Sequence, residues 1–511
     1  MALSEGQYYV RRPKRSSLSF YGSTKRKTSN AYRKELRMKT KTSITIALVL
    51  NAVVCMPGLT NAALPELRVN AGGHFFETKK GDPFFWIADT GWCLFQRTPA
   101  EVNLYLQNRA NKRFTVIQIM AIRHEYPNHA GEVPFKSKNP LSLNETYWRH
   151  IDSIVDNAGE KGLYVVLFAM WGMDADDMFG DPQKDNYEYG FLLGQRYKEK
   201  SNVLFAVTGE YNKIRYIRQS DGTWDKNGKP ANLTKSDLSL LRRVAEGLEA
   251  GHEGRRLMTI HPDGWCTSGT HFHRDTWLDF NMHQTWGTHD RQNVLTVKED
   301  YDRTLPKPVL NGEPGYENRP QEDCSAWHLR MEAYWSVFSG AAGFTYGAHT
   351  VWQFDPGWQA ALDYEGAFDM QHLRALLESR PMMNRLQDQS MIVSERGSYV
   401  DRVLTYRVAM RSANHAYAFI YTTKGESFTI DMSKISGNEV NAWWYNPRDG
   451  KCYGASGDQI TSPFDCYVAS GTRTFDPPAG TGEDMDWCLV LDDASRGFGI
   501  PGRPAGGMRD E

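Results

Sequence analysis

Eight short apolar runs fall between residues 84 and 350, alternating with stretches of helical periodicity. The apolar runs are FFWIAD (84–89), FTVIQIMA (114–121), LYVVLFAMW (163–171), NVLFAVTGE (202–210), LMTIHPDG (257–264), LDFNMHQT (278–285), KPVLNGE (307–313) and GFTYGAHT (343–350). Helical patterns fill 98–113, with Thr98 as N-cap and Pro99 at the first helical position, then 144–162, 187–200, 234–252 and 324–340. Near-continuous apolar strands are buried on both faces, and their alternation with helices requires right-handed crossovers and a parallel sheet. The economical closure is an α/β fold, a (β/α)8 TIM barrel over 66–385. A doubly wound open sheet is the alternative, but no Gly-rich phosphate loop follows the first strand.

The rhythm stops after LESRPMMNRLQDQS. Residues 388–495 read as short alternating strands separated by turns such as PRDGK, a small all-β sandwich domain, and 496–511 as a disordered tail. At the other end, residues 1–37 are basic and aperiodic. From Met38 the chain has a charged start (Lys39, Lys41), thirteen apolar-rich residues from Ile44 to Met56 and a small-residue site at Thr60-Asn61-Ala62. That is the grammar of a secretory signal peptide over 38–62, cleaved after Ala62, with Met38 as the start and 1–37 as an upstream artefact or a disordered basic segment. The apolar core is too short to span a membrane comfortably, so no stable insertion is expected after cleavage, and the expected location is secreted or periplasmic. A lipoprotein reading through Cys55 is weaker because Val54 precedes it. Export permits disulfides. Cys452 and Cys466 have a spacing that allows a bridge without requiring one, and the absence of a C-x-x-C pair argues against a structural zinc site.

In such barrels ligand chemistry gathers at the C-terminal ends of the strands. Those ends present Asp89 and Trp92, Arg123 and His124, Trp171 and Asp174, Glu210, His261 and Asp263, His283, Gln284 and Trp286, Glu313, and Tyr346, His349 and Trp352. Glu210 and Glu313 stand out, each one residue after a glycine, at strands four and seven. A barrel mouth brings such ends together, and cleavage of a glycosidic bond needs two carboxyl groups flanking it, one protonated and one ionised. A solvated loop carboxylate is the bland reading of either glutamate taken alone. His261, His283 and His349 are read as hydrogen-bonding groups rather than metal ligands, since no H-x-x-x-H spacing occurs. Aromatics at 12%, with 15 Trp, suit flat-faced polyhydroxylated ligands, although most aromatics serve the core; a net charge of −1 argues against a nucleic-acid partner.

These segments resemble a known family. FFWIADTGWCLF, FTVIQIMA, VLFAVTGEYN, NMHQTW, VLNGEPGYE and AGFTYGAHTVWQF are similar to the apiosidase-like glycoside hydrolases, secreted bacterial barrels, over about residues 66–385. The following β domain is similar to the small sandwich that usually accompanies them, often labelled collagen-binding. The resemblance implies a barrel of the large retaining-glycosidase clan, with Glu210 as acid/base and Glu313 as nucleophile, and an activity that releases apiose-linked units from a pectic polysaccharide. Two departures are visible. Many clan members carry Asn before the acid/base where this chain has Gly209, and characterised apiosidases resemble Gly-Asp at strand four where this chain has Gly-Glu.

The expectation is a retaining O-glycoside hydrolase without metal or organic cofactor, its carboxyl groups about 5–5.5 Å apart, acting on plant cell-wall oligo- or polysaccharides. Asp89, Trp92, His124, Trp171, His261, His283, Trp286, His349 and Trp352 are its expected substrate-binding residues. Two rivals are a non-catalytic carbohydrate-binding barrel and an adhesin working through the C-terminal β domain.

Overall fold

A computed structural model describes residues 63–503 except 124–125, 138, 173–181, 214–232, 265, 287–291, 400–403 and 479. The expected signal segment, Cys55, His124 and Asp174 lie outside the described residues. The eight apolar runs form strands β1 (Trp86–Thr90), β2 (Val116–Met120), β3 (Tyr164–Phe168), β4 (Val203–Ala206), β5 (Met258–Thr259), β6 (Asn281–Trp286), β7 (Val309–Pro314) and β8 (Gly343–Tyr346). All neighbours are parallel, in the order β5-β4-β3-β2-β1-β8-β7-β6. A small antiparallel sheet, Leu67–Val69, Phe76–Thr78 and Pro83–Phe84, precedes them; Phe76 packs on Trp86 and Phe280.

Closure between β5 and β6 uses side chains in place of a regular ladder. Thr259 Oγ1 donates to the Phe280 carbonyl at 2.7 Å, Ser268 Oγ accepts from Met282 N at 2.8 Å and donates to the Ile260 carbonyl, and Met258 N donates to Asp279 Oδ2 at 2.7 Å. The expected eight-residue run at 257–264 therefore shortens to two paired residues.

Helices α1 (Pro99–Asn111), α2 (Glu145–Glu160), α3 (Pro182–Tyr197), α4 (Lys235–Gly251), α5 (Ser268–Phe272), α6 (Gln292–Tyr301), α7 (Ala326–Phe338), α8 (Trp358–Ala361) and α9 (Glu365–Glu378) surround the strands. Thr98 closes a capping box with Glu101 at the start of α1, satisfying orphan N–H groups there. Helices α3 and α4 approach backbone to backbone. A Cβ at Gly190, Gly194, Gly247 or Gly251 would lie 2.1–2.4 Å from a carbonyl oxygen of the other helix. Helix α7 is buried nearly all round because the β domain covers the side that a barrel helix usually shows to water.

That domain is antiparallel. Strands β9 (Arg385–Gln387), β10 (Val408–Ser412), β11 (Tyr417–Thr422), β12 (Phe428–Asp431), β13 (Glu439–Asn446), β14 (Lys451–Tyr453), β15 (Asp465–Val468), β16 (Thr472–Phe475) and β17 (Trp487–Asp493) form two sheets. The larger runs β9-β10-β11-β17-β13-β14, with β15 also on β13; the smaller pairs β12 with β16. Strand alternation divides the large sheet. Ala418 and Ile420 face the domain's own core with Phe428, Trp444 and Leu489, whereas Tyr417, Phe419 and Tyr421 belong to the core shared with the barrel.

The junction is hydrogen-bonded throughout. Trp327 Nε1 donates to the Thr423 carbonyl and Trp335 Nε1 to the Tyr406 carbonyl, each at 2.9 Å. Arg330, fully buried, reaches Asp369 at 2.8 Å and Asp486 at 3.0 Å; Arg380 makes a fork to Asp492 at 2.8 and 2.7 Å. Such buried charges are tolerated because each has partners.

Cys452 and Cys466 are not bridged. Cys452 is buried with its thiol towards the Pro501 carbonyl, and Cys466 is exposed. Within 496–503, expected to be disordered, Phe498 lies against Tyr417 and under the Arg380 guanidinium, and Pro501 is buried. Residues 504–511 lie outside the described residues. Among the described residues no helix is long and apolar enough to cross a membrane.

Candidate active site

Strand β7 carries Glu313 to the barrel mouth, and its end is irregular. Its register with β6 shifts between Asn311 and Glu313 and again before Pro314. Such irregularities re-aim a side chain that regular alternation would place elsewhere. Gln118 Nε2 bonds the Gly312 carbonyl at 2.8 Å, and Asn311 Nδ2 bonds Thr285 Oγ1 at 2.9 Å and Asn293 Oδ1 at 3.0 Å, so the tip is held from three sides.

Both oxygens of Glu313 have partners. Oε1 accepts from the Tyr316 hydroxyl at 2.7 Å, and Oε2 lies 2.9 Å from His261 Nε2. The Tyr316 oxygen in turn accepts from Trp92 Nε1 at 2.8 Å. Burial, followed by the Glu313 charge, pushes the Tyr316 phenol well above its usual range, which keeps it a donor. His283 is buried near His261. Its pKa falls to about 3, first through burial and then through the His261 charge, so the ring is neutral at ordinary pH.

Glu210 follows β4. Its neighbours are fixed by backbone bonds: His261 N to the Thr208 carbonyl and Tyr211 N to the His261 carbonyl, each at 3.0 Å, and Gly172 N to the Gly209 carbonyl at 2.8 Å. Its own φ is +47°, as is that of Trp286 across the mouth. Left-handed backbone at bulky residues is strained and clusters at functional sites. The glycines before both glutamates have steric causes. A Cβ at Gly209 would meet the Trp171 ring at 2.1 Å, and one at Gly312 would press on His261 Nδ1 at 3.1 Å. An Asn at 209 is incompatible with Trp171 where that indole stands.

Glu210 and Glu313 line one cleft of about 300 Å³ together with the indoles of Trp92, Trp171, Trp286 and Trp352. That volume lies at the lower end of small-molecule sites. Trp92 and Trp171 meet edge to face at 5.3 Å, and Tyr316 lies against Trp352 at 5.5 Å. His261 is buried directly behind Glu313, and His283 is buried too.

Asp89 is not in the cleft. Its Oδ2 accepts from Arg109 Nε at 2.8 Å and from the Tyr105 hydroxyl at 2.5 Å, both on α1, and the residue is fully buried. Alternation explains this: β1 turns Asp89 outward to the helices and leaves Thr90 facing the barrel interior. His349 is outside the cleft lining as well. Sequence reasoning passed over Tyr316, Arg319, Glu322 and Met120, which line the cleft, and left Arg123 without a role. Tyr316 lies past the strand end, and only its place three residues after Glu313 hinted at it. Among the described residues no group of three His, Cys, Asp or Glu side chains is placed to hold a metal ion.

Comparison with known families finds that residues 70–384 match the apiosidase-like catalytic domain and residues 386–492 match a family described as a collagen-binding domain of a collagenase. A solved glycoside hydrolase family 5 structure from Bacteroides vulgatus is 27% identical, with a TM-score of 0.73, covering 87% of this chain and 96% of its own. A second solved structure, named a glycoside hydrolase, is 27% identical with a TM-score of 0.72, covering 85% and 98%. Curated proteins gave no match.

Proposed function

We propose that this chain, which belongs to the apiosidase-like family and has a glycoside hydrolase fold, is a retaining O-glycoside hydrolase working through Glu210 and Glu313. The observation that carries the reading is that these two carboxyl groups, 103 residues apart in sequence, line a single aromatic-walled cleft at the strand ends.

In the first step a Glu313 oxygen attacks the anomeric carbon while Glu210 gives its proton to the leaving oxygen. The glycosidic C–O bond breaks as the ester to Glu313 forms. In the second step Glu210 takes a proton from water, the water oxygen attacks the same carbon, and Glu313 is released as carboxylate. Tyr316 and His261 hold the carboxylate in place, which reduces reorganisation in the transition state. The indoles offer flat faces to the sugar ring and exclude water.

The finer reading is a pectic plant cell-wall substrate, with apiose-linked units the first candidates, met outside the cytoplasm after export through the 38–62 segment. The family match supports the first part, and the sequence grammar of that segment supports the second.

The test is a screen of plant-wall glycans with product sugars identified, run with wild type, Glu210→Gln and Glu313→Gln. Wild type is expected to release sugar, and each variant to lose at least about 10²-fold in turnover while remaining folded. Near-normal turnover in either variant removes that residue from the mechanism.

A further inference from the structure

We propose that Arg123 binds an anionic substituent of the substrate, the carboxylate of a uronic acid, within this cleft; the inference rests on the glycosidase reading above. Arg123 lies three residues beyond β2 and lines the cleft. Its Nη1 donates to Cys93 Sγ at 3.5 Å, and its guanidinium carbon sits 5.1 Å from the centre of the Tyr126 ring. Among the described residues no carboxylate pairs with it. The other cleft arginine, Arg319, is paired with Glu322.

The charged residues lining the cleft are Arg123, Glu210, Glu313, Arg319 and Glu322 among the described residues. Arg319 and Glu322 cancel. With Glu210 protonated, as the first step requires, Glu313 and Arg123 remain. Glu313 does not draw on Arg123, because its two oxygens are held by Tyr316 and His261. The Cys93 thiol is no counter-ion either: burial raises its pKa, so the sulfur stays protonated. Arg123 is therefore a partly exposed cation, pinned at one nitrogen and steadied by an aromatic ring, with the rest of its fork directed at no protein acceptor among the described residues. A planar guanidinium fork matches a carboxylate through two parallel N–H···O bonds. An anionic sugar approaching Glu313 would meet repulsion, and Arg123 offsets it. A neutral glycan gains nothing from such a group.

The experiment compares kcat/KM for acidic oligosaccharides containing galacturonic or glucuronic acid with kcat/KM for the same oligosaccharides after methyl esterification, in wild type, Arg123→Met and Arg123→Lys. Wild type is expected to prefer the free acids by about tenfold or more, the yield of one charge-assisted contact. Arg123→Met should bring the ratio towards one by losing rate on the acids alone, and Arg123→Lys should fall between. Equal losses on acid and ester, or no loss on either, overturn the assignment, as does a stronger response to sulfated oligosaccharides than to uronates. Titration of the same acids and esters into Glu313→Gln, with and without Arg123→Met, reads the preference as binding. A wild type that cleaves none of these glycans yet binds acids over esters through Arg123 sinks the hydrolase reading and keeps this one; binding without that preference sinks this one.

Discussion

Glu313 is held by two donors of different kinds, and the difference is testable. Tyr316 donates to Oε1 and is itself fixed by Trp92. Removing the hydroxyl in Tyr316→Phe takes away a donor that favours the ionised carboxylate. The account predicts a loss of about 10-fold or more in kcat with KM less affected. An unchanged kcat would make Tyr316 a packing residue. His283 gives a second prediction, on stability. Its folded pKa, about 3, lies below the unfolded value near 6.5, so its contribution is present above pH 6.5 and is lost as pH falls towards 3. The unfolding free energy from urea titrations should therefore fall between pH 7 and pH 4, by at most about 1.4 kcal/mol per pH unit from this residue, and His283→Gln should flatten that slope. At this scale the sequence exposed the glutamates and indoles because each ends an apolar run. Asp89 ends one too, but its face of the strand points at Arg109. The period of two was readable; which face looked inward was not, until the strands were paired.

Among the elements, the barrel strands were legible because burial on both faces leaves an unmistakable apolar run. The closing pair was the exception. At β5 the pattern continued to Gly264, yet the regular strand stops at Thr259, and hydroxyls of Thr259 and Ser268 take over the contact with β6. Nothing in hydrophobicity marks that handover. In the β domain, β15 and β16 escaped notice because they are largely exposed, with little alternation to detect. The α3–α4 contact offers an element-scale prediction. Helix propensity favours Ala over Gly by about 1 kcal/mol in a helix interior. At Gly247 the added Cβ would stand 2.1 Å from the Tyr187 carbonyl oxygen, so the helices must separate. Gly247→Ala is expected to destabilise the protein by about 1–3 kcal/mol in chemical denaturation, against the sign of propensity. A stabilised variant would show that the two helices have room to spare.

Across the whole molecule, barrel and β domain share one hydrophobic core through α7 and the large sheet, and buried Arg330 and Arg380 tie them. The β domain is a built-in wall of the structure, which weakens the picture of an adhesin carrying a passenger barrel. Unfolding in urea is predicted to give one transition, coincident by tryptophan fluorescence and far-UV circular dichroism. Two separated transitions would mean that the modules stand alone. What the entire fold accomplishes is the convergence of two acids from distant strands upon one acetal, and stereochemistry reports it most directly. Once a cleaved glycan is in hand, proton NMR of the first-formed sugar, before mutarotation, reads its anomeric configuration. The account predicts the configuration of the substrate; the opposite anomer would contradict a covalent role for Glu313.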